Sequence, residues 1–389
     1  MERNWLRRWV ACALLGVLGP TLAAAQTGLP KYESKYYVIY SDLDKDAMRE
    51  VVQRVTTMAE EYASRTKGFA GTIDRKLPFY LFKRMDDYIA AGGMPGTAGV
   101  FTGDKLMAIA GEQTTDETWH VVQHEGFHQF LRAVIGGDIP IWVNEGLAEY
   151  FGHAIWTGDG YVLGNVPHER LARIKLWMSR GHTISIEQMM KMPHALWNAQ
   201  MSIVNYDQAW SMVYFLAHGD GGKYQQPLNS FLRDVSKGDN WERAWSKHFG
   251  RGVRDFEKKW AKFWSELDVD STADLVARAK LATLNSFYAR AFSQQQYFAT
   301  PGEFFDAARA GKLKSHADDA LPINLLRDTL KEADSFGEWT IEKRKGKDSL
   351  MLTLAGGEKL AGVFQVQTNR RLKTDSVLLE QVRKGTRRK

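Results

Sequence analysis

The residues with the greatest chemical capacity in this sequence are His124-Glu125-Gly126-Phe127-His128. In a helix, four residues turn by about 400°, so both imidazoles would fall on one face, roughly 40° apart and about 6 Å along it. Two neutral nitrogens so placed can share one divalent ion. Glu125 lies about 100° round, where its carboxylate can take a proton from a water at an open coordination position. A zinc centre of this kind needs a third protein ligand as well. A surface helix with two incidental histidines would show the same five residues, so the neighbouring sequence has to decide.

The neighbourhood favours the metal. Thr114 and Glu117 have the spacing of a capping box, which predicts a helix starting just before the motif. Phe127, Phe130, Leu131 and Val134 then follow at helical spacing and give it a buried face. Gly136-Gly137 and Pro140 stop it. Gly126 costs such a helix about 1 kcal/mol, which predicts a closely packed neighbour at that point.

Beyond Pro140 the chain reads Trp142-Val143-Asn144-Glu145-Gly146-Leu147-Ala148-Glu149. Glu145 and Glu149 are one turn apart on one helix face, so one can ligate while the other orients a histidine. The His-Glu-x-x-His motif followed by Trp-x-Asn-Glu-Gly-x-Ala resembles the gluzincin metallopeptidases, the group of thermolysin and the zinc aminopeptidases. The resemblance is nearest to the peptidase-MA-like domains of exported bacterial proteins, and it covers about Tyr36 to Leu232. It implies Glu145 as third zinc ligand and Glu149 as the acid that bonds to the first zinc histidine. It further implies that the extended segment Gly99 to Ile109 is the sheet edge that pairs with a peptide, as β-augmentation would allow. Tyr206, in a Tyr-x-Gln-Ala segment like that of related domains, is either a donor to a developing oxyanion or a core aromatic.

The sequence departs from that group in places. Sixteen residues separate His128 from Glu145, a shorter span than is usual, and Glu149 would give a more usual one. The Asn-Glu-Gly-x-Ala string still favours Glu145. A metzincin would need glycine and histidine where Leu131 and Val134 stand. His120 lies about 12 Å along the axis from His128, too far to share one ion, and is expected at the mouth of a cleft. The Gly-x-Met-Glu-Asn string of zinc aminopeptidases is absent, Gly93-Met94-Pro95-Gly96 being no substitute, which favours an endopeptidase.

The first 25 residues read as a secretory signal: Arg3, Arg7 and Arg8, an apolar run from Trp9 to Leu18, and Ala23-Ala24-Ala25 as cleavage site. Cys12 precedes most of the apolar run, which argues against a lipoprotein anchor. The remainder, about 364 residues, would have no cysteine and no membrane span, and would be periplasmic or secreted without disulfides. Removing the signal takes the net charge from +6 to about +4, with interspersed signs and no nucleic-acid motif.

The hydrophobic pattern supplies the elements that must position the motif. Strands are expected at Tyr36–Tyr40 and Leu77–Phe82, and an extended pair at Val100-Phe101 and Leu106–Ile109. Helices are expected over Asp42–Thr66, Arg84–Ala91 and from Tyr206 to Gly219. His153, His168, His182 and His194 have no ligand spacing and read as surface or cleft wall. Asn240 to Leu267 is one amphipathic stretch whose tryptophans read as core. Leu275–Ala333 is largely helical, with a loop near Thr300-Pro301-Gly302. Three short strands follow, at Glu338–Glu342, Ser349–Leu354 and Leu360–Thr368, with turns at Lys345-Gly346-Lys347 and Gly356-Gly357, and Arg387-Arg388-Lys389 is a solvated end.

The expected fold is α+β: a thermolysin-like core with a small mixed sheet lobe and a helical lobe, then a helix-rich region with a small β appendage. By residue this is a signal over 1–25 and a metallopeptidase domain over 26–266. Within that domain the sheet lobe takes about 35–112, the zinc helices 114–155 and the helical lobe 156–266. A helical extension over 267–335 and a β-rich segment over 336–389 complete the chain. The expected activity is hydrolysis of peptide or protein substrates. His124, His128 and Glu145 would hold one Zn²⁺, and Glu125 would be the general base. The alternatives are a non-catalytic zinc-containing envelope protein that binds peptides or partners, and a hydrolase of cell-wall amides. Retention of Glu125 argues against the binder, which has no need of a base.

Overall fold

The computed structural model describes residues 28–135, 139–250, 252–316, 319, 322–343, 348–366 and 372–378. The signal at 1–25, Gly136-Gly137, the Lys345-Gly346-Lys347 turn and Arg387-Arg388-Lys389 lie outside them. The protein is α+β and forms two units. One takes in the described residues up to Ala154 together with Val166–Asp270; the other holds Ile155–Asn165 and the residues from Ser271.

The first unit begins with strands β1 (Lys31–Glu33) and β2 (Tyr37–Ser41), helix α1 (Lys45–Thr66), β3 (Leu77–Phe82), α2 (Met85–Ala90), β4 (Gly99–Phe101) and β5 (Leu106–Ile109). The sheet order is β1-β2-β3-β5-β4, with β2, β3 and β5 parallel and both outer strands antiparallel. Alternation makes the two faces differ. Tyr37, Ile39, Leu77, Phe79 and Leu81 are buried on one, while Tyr40 and Tyr80 stack with centroids 4.7 Å apart on the other. Asp44 starts α1 by accepting from the N–H of Asp46 and Ala47 at 3.0 and 2.8 Å. Of the segment expected as sheet edge only β4 is one, since β5 lies between β3 and β4, so the expectation narrows to Gly99–Phe101.

The two motif helices follow, α3 (Asp116–Val134) and α4 (Ile141–Gly152). Thr115, not Thr114, caps α3: its Oγ1 accepts from Thr118 N–H at 3.2 Å while Thr118 Oγ1 accepts from Thr115 N–H at 3.3 Å. The capping box is real but one residue later, with a hydroxyl doing what was expected of Glu117. Gly126 faces α1, where an added Cβ would meet Met58 Cε at 2.8 Å, so the close neighbour expected there exists. Gln123 Nε2 donates to the carbonyls of Phe151, Gly152 and Ala154 and so ties α3 to the C-terminal end of α4.

After α4 come a hairpin of β6 (Ile155–Trp156) and β7 (Tyr161–Val162), then α5 (His168–Ser179), α6 (Ile186–Met190), α7 (His194–Gln200), α8 (Ile203–Gly222), α9 (Gln225–Ser236), α10 (Trp241–Phe249) and α11 (Val253–Glu266). The regular part of α8 breaks at Gly219, where ψ is 148°, as expected. The single amphipathic stretch expected over Asn240–Leu267 is two helices, because Gly250 adopts φ +83° and ends the first. Its tryptophans are core: Trp260 and Trp264 donate to the hydroxyl and carbonyl of Ser211 on α8 at 3.0 and 3.1 Å. Among the described residues no helix is long and apolar enough to cross a membrane.

The second unit adds α12 (Ala273–Ser293), α13 (Pro301–Arg309), α14 (Ile323–Glu332), and strands β8 (Glu338–Glu342), β9 (Ser349–Thr353), β10 (Lys359–Val366) and β11 (Leu372–Leu378). The strands form an antiparallel meander, one strand more than expected. The loop expected near Thr300-Pro301-Gly302 runs over 294–300 and ends where α13 starts, with Thr300 as N-cap and Pro301 in the first turn. Leu281, Leu284, Phe287 and Tyr288 of α12 pack with Leu350, Leu352 and Leu360 of the sheet. The β6–β7 hairpin belongs here. Its Asp159 is bound by Arg290 and Ser286 of α12, the Ser286 Oγ contact being 2.6 Å.

Candidate metal centre

Helix α3 presents His124 and His128 on one face, and α4 crosses it with Glu145. Gly146 lets α4 approach α8, since a Cβ there would stand 2.5 Å from the Ala209 carbonyl oxygen. Three donor atoms converge. His124 Nε2 and His128 Nε2 are 3.1 Å apart, and Glu145 Oε2 lies 3.4 and 3.5 Å from them. Four ligands arranged tetrahedrally at about 2.0–2.1 Å from a zinc ion stand about 3.3–3.4 Å from one another, so this triangle has the size of one face of such a centre. The three residues are buried, and among the described residues Oε2 of Glu145 faces the imidazoles without a well-formed hydrogen bond. The donor set suits a divalent ion: two imidazoles and one carboxylate.

The electrostatics agree. Burial pushes the Glu145 carboxyl up, but His128 and His124 outweigh it and hold its pKa at about 2. Burial pushes His128 down, but Glu145 outweighs it and raises it to about 9. An arrangement that draws a proton so strongly also draws a cation.

The outer nitrogens of both histidines are held. Asn144 Oδ1 lies 3.0 Å from His128 Nδ1, which leaves Nε2 to carry the lone pair if Nδ1 bears the proton. Glu149 Oε1 lies 3.5 Å from His124 Nδ1 and does the same for that ring. Burial would raise Glu149, but Arg170 and then His124 pull its pKa well below the usual carboxylate range. Glu125 is buried beside the triangle, and its Oε2 accepts from the Phe101 N–H of β4 at 2.9 Å. The Tyr206 ring, 6% exposed, lies 6.4 Å from that of His124 and 5.0 Å from that of Trp197. It is a buried ring that borders the centre.

His120, expected at the mouth of a cleft, packs against Gly152 with its Nε2 3.7 Å from Glu149 Oε2. His153, expected as surface or cleft wall, has a half-buried side chain; its ring lies 4.5 Å from His120 and its Nε2 3.8 Å from Glu149 Oε2. Chain spacing hid both, because the end of α4 brings His153 beneath a residue of α3. His120, His124 and Glu149 form a second group able to hold a metal. There, however, Arg170 Nη1 is already 2.6 Å from Glu149 Oε2, and a cation would have to displace it. His168, His182 and His194 are exposed. Asn144, Arg170 and Asp207 were not singled out from sequence. Asn144 has a signal in its place next to Glu145; the other two have none.

Residues 119–239 match a family model described as a protein of unknown function (DUF1570), a span that holds His124, Glu125, His128, Glu145 and Glu149. No curated protein matches the chain. What the geometry establishes is buried groups of histidine and glutamate that could hold a metal ion.

Proposed function

We propose that this chain is an exported zinc-dependent hydrolase of the gluzincin type, most simply an endopeptidase. His124, His128 and Glu145 would hold one ion. The observation that carries the reading is the tetrahedral-sized triangle of their donor atoms with Glu125 beside it. Zinc bound there would polarise a scissile carbonyl and acidify a water. Glu125, its carboxylate held by the Phe101 N–H, would accept a proton during attack and return it to the leaving amine. Asn144 and Glu149 would keep the two imidazoles in the tautomer and orientation that ligation needs. Tyr206 would donate to the developing oxyanion from beside His124.

A peptide suits this site because β4 is an edge strand. Thr102 N–H bonds to the Lys105 carbonyl and Ile109 N–H to that of Ala98, so alternation turns the backbone groups of Gly99 and Phe101 away from β5. An extended substrate would add there as a further strand through the Gly99 N–H and carbonyl and the Phe101 carbonyl, the Phe101 N–H being held by the base. The charged start, apolar run and Ala23-Ala24-Ala25 of the sequence support export.

The test is mass spectrometry of a diverse peptide library incubated with the zinc-loaded chain, beside Glu125→Gln. Cleavage by the first and not by the second supports enzyme and base together. Equal cleavage by both removes Glu125 from its role, and no cleavage by either, with zinc bound, would favour a peptide-binding protein.

A further inference from the structure

We infer that Asp207 is a positioning residue of the metal centre, acting through Arg170 and Glu149 on His124. The inference rests on the metal reading of that centre. The four groups form a buried chain of alternating charge. Glu149 Oε1 meets His124 Nδ1 at 3.5 Å, and Glu149 Oε2 accepts from Arg170 Nη1 at 2.6 Å. Arg170 Nε then donates to Asp207 Oδ1 at 2.8 Å. Asp207 is fully buried, Arg170 is 6% exposed and Glu149 7%.

Asp207, on α8, takes every one of these donors from α5. Besides Arg170 it accepts from Arg173 Nε and Nη2 at 2.8 and 2.9 Å and from Trp177 Nε1 at 3.1 Å. Both of its oxygens are engaged, so it cannot turn. The guanidinium of Arg170 is planar, and fixing Nε on Asp207 fixes the direction in which Nη1 meets Glu149. The ring of Trp210 holds the same group, 5.0 Å from its central carbon. With one oxygen of Glu149 pinned by Arg170, the other is left facing His124.

The chain also sets charge. Arg170 draws electron density from Glu149 and makes it a weaker acceptor for the imidazole N–H, and Asp207 offsets that pull. Replacing Asp207 by a neutral group would put the whole Arg170 charge on Glu149. His124 would become a less basic and less well-held ligand, the kind of loss that costs 10- to 100-fold in metal affinity.

The test is zinc affinity of the full chain, by competition with a chromophoric chelator, in wild type, Asp207→Asn, Arg170→Lys and Arg173→Gln. Cobalt(II) is substituted in parallel and its visible absorption recorded. Arg170→Lys keeps the charge without the fork and serves where Asp207→Asn fails to fold. The expected result is zinc bound about 10- to 100-fold more weakly, with altered cobalt bands, in Asp207→Asn and Arg170→Lys. Arg173→Gln, which leaves the Asp207–Arg170–Glu149 path whole, should lower the melting temperature and keep zinc affinity close to wild type. Wild-type affinity and cobalt bands in a folded Asp207→Asn or Arg170→Lys would overturn the inference. So would an equal loss in Arg173→Gln, which would mark the effect as one of general stability. Absence of zinc binding in the wild type would instead remove the metal reading, and the inference with it.

Discussion

Glu145 and Glu149 stand one turn apart on α4, yet they meet different atoms: Glu145 the inner nitrogens of two histidines, Glu149 the outer nitrogen of one. Truncating them should therefore have unequal effects. Glu145→Ala is expected to abolish tight zinc binding, whereas Glu149→Ala weakens it about 10- to 100-fold, as titration calorimetry would resolve. Glu125→Gln, isosteric and still able to meet the Phe101 N–H through its oxygen, should keep the metal and lower turnover by roughly 10²- to 10⁴-fold. His120 gives a pH dependence to the metal-free chain. Burial, its largest influence, lowers its pKa to about 4 from an ordinary value of 6.5. Between those values the unfolded chain binds a proton that the folded chain refuses, and His153, which burial also holds well below its ordinary value, adds to it, so stability should fall by about 1.4 kcal/mol per pH unit for each such ring as pH drops from 6.5 towards 4. Urea melts at pH 7 and 5 should show it, and His120→Gln should make the slope shallower. The two motif histidines were legible because helix spacing sets which residues share a face, whereas Glu145 was preferred to Glu149 through the resemblance of the string around it. Arg170 and Asp207 were not, since two residues 37 apart meet only when α5 and α8 pack.

Two helical glycines separate what an element needs from what it tolerates. At Gly146 an added methyl would meet the carbonyl of Ala209 at 2.5 Å and Val213 Cγ2 at 2.6 Å, backbone that cannot yield without moving α8. At Gly126 it would meet the terminal methyl of Met58, which can swing aside. Gly146→Ala should cost about 1–3 kcal/mol or more in a thermal melt, while Gly126→Ala, gaining about 1 kcal/mol of helix propensity, should come out near neutral. Long periodic elements were readable, α1 and α3 to within about three residues. Short ones were missed where pattern is thin: β6 and β7 are two residues each, and β11 reads Leu-Lys-Thr-Asp-Ser-Val-Leu, too polar to stand out. The break at Gly250 was missed for another reason, because the apolar stripe resumes in step after the turn.

At the scale of the molecule, the second unit adds a buried ionic cluster to its apolar core. Asp159 and Arg290 have side chains 1% and 3% exposed, and Ser286 completes the contact. Asp159→Ala would leave the guanidinium with the neutral oxygens of Ser286, 3.0 Å from its Nη1, and with Asp319, 3.5 Å from its Nε. It should cost about 3–5 kcal/mol, read as a lower urea midpoint by circular dichroism. No pattern in the sequence announced that cluster, whose partners are 131 positions apart. The hairpin that supplies Asp159 has a consequence for inheritance. Because Ile155–Asn165 sits inside the stretch that carries the candidate metal centre but belongs to the other unit, the gene cannot be cut once, after the codon for Asp270, to give two portable cassettes. The upstream piece would carry Asp159 away from α12, and the downstream piece would lack the acid that neutralises Arg290. Recombination that swaps one unit must rewrite eleven codons in the middle of the other, so the pair is expected to travel through evolution together.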